Sequence, residues 1–233
     1  MEPLLSLQNL INASKINLPK HLPPMSAGLI GYLGYETIEQ YEKLPRRKKN
    51  VIDIPDGFFI RPTTLAIFDN IKNEITLIST YWYNDEKKIT DDYNKISNNL
   101  KNLKKFINNP LEYKTKKPIK KFVKPKSNIK KNTFLEMVKK AKNYIYEGDI
   151  FQVVLSQRFN AKFLLSPFEL YRSLRSLNPS PFLFYMNLEE SIKEGFSIIG
   201  SSPEILVKLK NNEITIRPIA GTRKRGKNHK EDI

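Results

Sequence analysis

Between residues 114 and 131 the chain reads KTKKPIKKFVKPKSNIKK, nine lysines interrupted by Pro118 and Pro125. No element carrying so many ammonium groups can be buried without stripping each of its water, and the two prolines break any helix laid through them. The run is therefore expected to lie in solvent as a linker, which forces the chain to organise on either side of it. The division expected is an N-terminal region over 1–112, the linker over 113–131, and a second region over 132–233. The formal net charge of +16 across 233 residues invites a nucleic-acid reading, in which basic side chains displace counterions from phosphate. Most of that charge is lysine in a chain also rich in Asn and Ile, a composition that A/T-rich coding produces unaided. The aromatic residues follow core periods and not a stacking platform, so no nucleic-acid partner is expected. A positive field still favours the arrival of a small anionic substrate.

With 39% hydrophobic residues and 11% aromatics, a packed core is within reach. The chain has no 18-residue apolar run, and its first residues lack the basic-then-apolar order of a secretory signal; the expectation is a cytoplasmic protein with no membrane span. The absence of cysteine removes disulfides, thiolate metal sites and cysteine nucleophiles, and two histidines, His21 and His229, are too few for a histidine-rich metal site.

Before the linker, the glycine-punctuated AGLIGYLGYE at 27–36 reads as a buried strand running into a tight turn. Two strands follow at 57–69 and 73–83, with a polar turn between them at 70–72, which is a hairpin pattern. From 85 onward the period changes: Ile89, Tyr93, Ile96, Leu100, Leu103 and Phe106 form one apolar stripe along a long helix. After the linker, Thr133 and Glu136 have the spacing of a capping box that opens a helix ending near Gly148. IFQVVLSQRF at 150–159 alternates as a strand, with Phe151, Val153, Leu155 and Gln157 on one side and Gln152, Val154, Ser156 and Arg158 on the other. Ser166, Pro167 and Glu169 mark a second capping box and a helix to about Leu177. Strands are then expected at 181–188, 196–200 and 205–209, with a turn at 210–212 and a returning strand at 213–217.

The densest chemical signal is GSSPEILVKLKNNEITIRPIAGTRKRG at 200–226. Glu204 heads one strand of the expected hairpin, and Gly221 and Thr222 lie just past the end of its partner, so the two strand ends share a rim. A Gly-Thr turn there can offer backbone N–H groups and a hydroxyl to a substrate carboxylate, and a protonated glutamate can donate a proton. From the pattern alone, a surface glutamate beside an ordinary turn remains the simpler reading.

The strings GLIGYLGYETI, YIYEGDIFQVVLSQRF, YRSLRSLNPSPFLFYM, IIGSSPEILV and RPIAGTRKRG, in this order, strongly resemble component I of anthranilate synthase, within the chorismate-utilising enzymes. The resemblance runs from about Leu4 to Ile233. It implies an α+β fold of layered antiparallel β-sheets with outer helices, incomplete at the C-terminus, and a lyase that adds ammonia to chorismate and eliminates pyruvate to give anthranilate, the first committed step of tryptophan biosynthesis. Gly221 and Thr222 match the chorismate-binding Gly-Thr of the family motif, and Glu204 matches the glutamate that protonates the departing hydroxyl.

Two further positions bear on which reaction is run. Where this chain has Gln152, relatives that hydrate chorismate carry a lysine base; an amide cannot take that proton at neutral pH. Where aminodeoxychorismate synthases commonly carry a nucleophilic lysine, this chain has Ala220, so ammonia must attack directly. The segment NPSPFLFYM resembles the family's tryptophan feedback site and puts Pro181, Phe182 and Leu183 on the effector positions. It departs from the usual pattern in having Phe for Tyr and Leu for Met, which removes one hydroxyl and keeps the bulk.

The resemblance also implies Mg²⁺, whose glutamate ligands are expected beyond Ile233 together with a histidine, an arginine and a tyrosine of the site; no metal ligand is assigned within the chain. On that reading the 233 residues alone are inactive, and strands meant for the missing part leave exposed edges. The implied partner is a glutamine amidotransferase subunit that supplies ammonia, with chorismate as substrate and tryptophan as inhibitor. The rival readings are aminodeoxychorismate synthase component I of folate biosynthesis and a non-catalytic module that binds tryptophan or chorismate.

Overall fold

The computed structural model describes residues 3–45, 52–82, 89–111, 123–188, 195–218 and 226–232. The chain divides into two compact units, Met1–Thr115 and Lys116–Ile233. Residues 114–122 of the lysine run lie outside the described residues.

The first unit opens with α1 (Pro3–Ala13), whose leading proline has no N–H to lose in a first helical turn. Strand β1 (Ile30–Leu33) pairs antiparallel with β2 (Gly57–Ile60), from Ile30 opposite Ile60 to Leu33 opposite Gly57. The partner backbone passes so close to Gly31 that a Cβ there would collide with the Phe58 carbonyl oxygen and lie 2.7 Å from Phe59 Cα. The strand expected over 27–36 is thus shorter than its apolar run, and Ile30 and Leu33 are exposed. Past Gly34, whose N–H donates to the Asp56 carbonyl at 2.5 Å, the chain turns into a 3-10 helix, Tyr35–Gln40.

The stretch expected as one strand over 57–69 is two. Pro62 has no N–H for a ladder, and the chain breaks around it. Strand β3 (Thr64–Asp69) then pairs with β4 (Glu74–Ser79) in the expected hairpin, with Asp69 opposite Glu74. Its turn is held by the Asp69 carboxylate, which accepts from the N–H groups of Ile71 (2.9 Å) and Lys72 (3.0 Å), and Asn73 takes the left-handed conformation at φ 55°. Helix α2 (Ile89–Asn108) follows the apolar stripe, but no residue along it is buried.

In the second unit, β5 (Lys126–Ser127) pairs with β6 (Phe159–Asn160), so the end of the lysine run is structured. Helix α3 (Lys131–Glu147) begins ahead of the expected capping box: its N-cap is Lys130, which makes no side-chain cap bond. Thr133 and Glu136 already lie inside the helix and cannot cap it. The entry is set instead by Ser127, whose Oγ accepts the Ile129 N–H at 3.1 Å next to the strand pairing. The end is as expected, with Gly148 left-handed at φ 86° and its N–H on the Ile145 carbonyl.

Residues 150–158 do not form the expected strand; only Phe159 enters a ladder. A strand exists only through its partner, and among the described residues this segment has none. Helix α4 (Pro167–Leu177) opens with the full Ser166–Glu169 capping box: Ser166 N–H donates to Glu169 Oε2 at 2.7 Å, and Glu169 N–H donates back to Ser166 Oγ at 3.4 Å.

Strands β7 (Phe182–Asn187) and β8 (Ser197–Ser202) pair antiparallel from Phe182 opposite Ser202 to Asn187 opposite Ser197. Gly200 faces Phe184, whose ring occupies the space of the absent side chain. Helix α4 packs on this hairpin through the rings of Phe168, Tyr171 and Tyr185, with centroids 5.6 to 6.1 Å apart. Strand β9 (Lys208–Lys210) pairs with β10 (Glu213–Thr215) across Asn211 and Asn212, both at positive φ, the geometry of a tight hairpin turn. A short helix, α5 (His229–Asp232), completes the described chain.

The fold is α+β, with helices and five two-stranded antiparallel sheets among the described residues. Only Ser26, Ala141 and Leu188 are buried among those residues. Ser26 is held by its hydroxyl, which donates to the Pro23 carbonyl at 2.5 Å.

Candidate functional site

The β7–β8 hairpin brings two of the sequence candidates to one end of one sheet. Phe182 stands opposite Ser202, and Leu183 opposite Ser201. Ser201 Oγ donates to the Asn178 carbonyl at 2.8 Å, tying the strand to the end of α4 and so to the NPSP segment. Ser202 Oγ contacts the Glu204 backbone twice, donating to its carbonyl at 3.3 Å and accepting from its N–H at 3.5 Å. Glu204 is therefore held next to the strand end that carries Phe182. Pro181 and Phe182 are exposed, Leu183 is half-buried, and Glu204 is exposed.

This grouping was not part of the sequence reading. The register of β7 against β8 supplies it, and the only signal in the sequence was that two adjacent strands end at SPE and at PFL. The strand expected at 205–209 begins only at Lys208, and its expected partner at 213–217 ends at Thr215, so Glu204 does not head β9 but lies in the unpaired stretch before it, and past β10 the chain runs on to Pro218. Ala220, Gly221 and Thr222 lie outside the described residues. Gln152 is exposed in the unpaired 150–158 segment and not on the β7–β8 hairpin.

Two cavities lie in the first unit, and none of these positions lines either one. One of about 740 Å³ is lined by Leu4, Leu7, Leu33, Thr37, Tyr41 and Phe59. The other, of about 390 Å³, sits between the β3–β4 hairpin and α2. There the Arg61 guanidinium lies 4.0 Å over the Trp82 ring, and the Tyr81 hydroxyl donates to the Asp92 carboxylate. Sequence periodicity did not point to either cavity, because each depends on how separate elements pack against one another and not on the pattern within any one of them. Next to β1, Tyr32 donates its hydroxyl to the Pro55 carbonyl at 2.9 Å; burial, and then the Asp56 carboxylate, push its pKa up.

Among the described residues no three His, Asp or Glu side chains cluster closely enough to hold a metal ion. The residues described do not fit the Mg²⁺ that the resemblance implies. No helix among them is long and apolar enough to cross a membrane.

Known proteins match nearly all of the chain. It is 41% identical over 99% of its length to anthranilate synthase component 1 of Cereibacter sphaeroides, and 37% identical over 99% to that of Aquifex aeolicus. These matches take in 45% and 46% of the relatives, so the chain spans about half their length. The crystal structure of anthranilate synthase component I from Streptococcus pneumoniae superposes with a TM-score of 0.75 at 30% identity, over 92% of this chain and 46% of that one. Residues 2–233 match the chorismate binding enzyme family. By that match, which takes in nearly every residue, the chain belongs to the chorismate binding enzymes.

Proposed function

We propose that this chain serves as the Glu204-bearing part of an anthranilate synthase component I. The reaction is that of chorismate with ammonia, giving anthranilate and pyruvate. The observation that carries this reading is the identity of 34 to 41% to relatives of that name, over nearly the full chain in three of them.

In the first step ammonia forms a bond at C2 of chorismate and the ring double bonds shift. The C4 hydroxyl takes a proton from Glu204 and leaves as water. In the second step the ring loses a proton, the enolpyruvyl C–O bond breaks, and pyruvate departs as the ring becomes aromatic. Gly221 and Thr222 would hold a substrate carboxylate through backbone N–H and hydroxyl groups. Gln152 lacks the basicity to activate water, and Ala220 lacks a nucleophile, so both side chains favour direct amination over hydration or covalent capture.

The chemistry is that of a lyase, and the ammonia would come from a glutamine amidotransferase subunit. Mg²⁺ belongs to the proposal only with ligands drawn from the part of the relatives' length that this chain does not span, and no step here is routed through it. Tryptophan inhibition would act at Pro181, Phe182 and Leu183, on the same hairpin end as Glu204. A cytoplasmic location accompanies this reading.

The test is a chimera in which this chain replaces the matching portion of the Cereibacter sphaeroides relative, supplied with chorismate and ammonium. The product expected is anthranilate with equimolar pyruvate. A folded chimera that releases isochorismate or aminodeoxychorismate in its place, or that leaves chorismate unchanged, overturns the proposal.

A further inference from the structure

The smaller of the two cavities in the first unit, of about 390 Å³, takes no part in the proposed reaction. It lies at the low end of the size range of small-molecule sites, about 300 to 1,000 Å³. One wall is a single face of α2, where Asp92, Lys95, Ile96 and Asn99 have the spacing that aligns helical side chains. The other wall is the end of β4 with the approach to β3, from which Trp82 and Arg61 line the space. That side is braced before any ligand arrives. Ser79 Oγ donates to the Thr63 carbonyl at 2.8 Å, and Thr80 Oγ1 donates to the Pro62 carbonyl at 2.9 Å, so the end of β4 is tied beside the break at Pro62.

Arg61 and Lys95 thus bring two cations to one cavity, one from each wall. The Arg61 guanidinium is fixed twice, 4.0 Å over the Trp82 ring and through Nη1, which donates to Ser14 Oγ at 3.3 Å. Those contacts use its face and one of its N–H groups, and a fork of donors held in place suits a carboxylate. Trp82 adds an indole N–H that is buried and has no hydrogen-bond partner among the described residues. An acceptor entering the cavity supplies the kind of group it lacks. Ile96 and the Trp82 ring offer carbon surface to the body of a ligand. Asp92, on the same wall as Lys95, accepts from the Tyr81 hydroxyl, and its charge opposes a dianion more strongly than a monoanion.

We propose that this cavity binds a small carboxylate monoanion with an apolar body, of the size of benzoate. The carboxylate sits between Arg61 and Lys95, and the apolar body lies against Ile96 and Trp82. Arg61 gives directed hydrogen bonds, while Lys95, exposed on α2, adds attraction without a fixed geometry. The net charge of +16 draws any anion toward the chain; the choice among anions comes from the carbon walls and from Asp92. The site is independent of which reaction the chain takes part in.

Trp82 is the single tryptophan of the chain, so its emission reports from the wall of this cavity. Benzoate titrated into the 233-residue chain should change that emission saturably, with half-saturation at about 1 mM or below. In the same titration Arg61→Gln, which removes the fork, should raise the half-saturation point at least about ten-fold, and Lys95→Gln about three-fold. Lys95 is exposed, so its variant keeps the test valid even where the loss of Arg61 from the Trp82 ring disturbs the fold. Lys140→Gln on α3 removes the same charge outside the cavity and should bind as the parent does. Benzyl alcohol, which has the ring without the charge, and inorganic phosphate, which has charge without the ring, should each bind at least about ten-fold more weakly than benzoate. The proposal is overturned if benzoate causes no saturable change, if benzyl alcohol or phosphate binds as well as benzoate, or if Lys95→Gln binds as the parent does. Equal weakening in Lys140→Gln would assign the binding to net charge and overturn it as well.

Discussion

At the scale of single residues, Glu204 carries the most weight. Its backbone is tied to Ser202, and Ser202 pairs with Phe182, so the proposed proton donor and the proposed effector segment meet at one strand end. Glu204→Gln in the chimera keeps the size of the side chain and removes the transferable proton; turnover should fall by about two to four decades, the usual worth of general acid catalysis. A steady-state assay that finds near-normal turnover would remove the assignment.

Asp69 gives a prediction of another kind. The N–H groups of Lys72 and Ile71 hold its carboxyl below the ordinary range for a carboxylate. An unfolded aspartate, near 3.9, takes up its proton first as pH falls. The stabilisation is thus complete above that unfolded value and is lost as pH drops through the lowered folded one. Asp69→Ala should therefore lower the thermal midpoint at pH 7, and the gap to the parent chain should close in strongly acidic buffer. A gap that stays constant with pH would exclude the carboxylate as its cause.

Among the elements, those that carry their own local chemistry were legible in the sequence. Helix α4 announces itself by Ser166, Pro167 and Glu169, and all of its cap bonds form. Ser166→Ala should cost about 1 kcal/mol in denaturant unfolding of the second unit. The β3–β4 and β9–β10 hairpins were likewise marked by their polar turns, and Gly148 by its place after an apolar stripe. What could not be read locally were features decided by a distant partner. The Thr133 and Glu136 spacing is a capping box on paper, yet β5 pairing with β6 starts the helix earlier. The strand expected over 57–69 splits because its two halves pair with different strands. The 150–158 segment has strand alternation and no ladder, because alternation states what a segment can pair with and not whether a partner is present. At the candidate site, Glu204 and Phe182 were both singled out from the sequence, but their proximity came only from the β7–β8 register.

At the scale of the whole molecule, α1 to α5 and β1 to β10 reproduce about half of a family fold, and the apolar faces are left mostly open. Removing apolar area from water stabilises a fold by about 25 cal/mol per Å², so exposed positions such as Phe151 and Leu206 contribute little to the stability of this chain. The central claim of the proposed function is that Glu204, Gly221 and Thr222 line one chorismate site. It is tested most directly by a crystal structure of the chimera with chorismate bound. The account predicts a Glu204 carboxylate oxygen within hydrogen-bond reach of the C4 hydroxyl, about 2.6 to 3.2 Å, with a chorismate carboxylate held by Gly221 and Thr222. Chorismate bound elsewhere, with Glu204 facing solvent on the far side of the sheet, would contradict it.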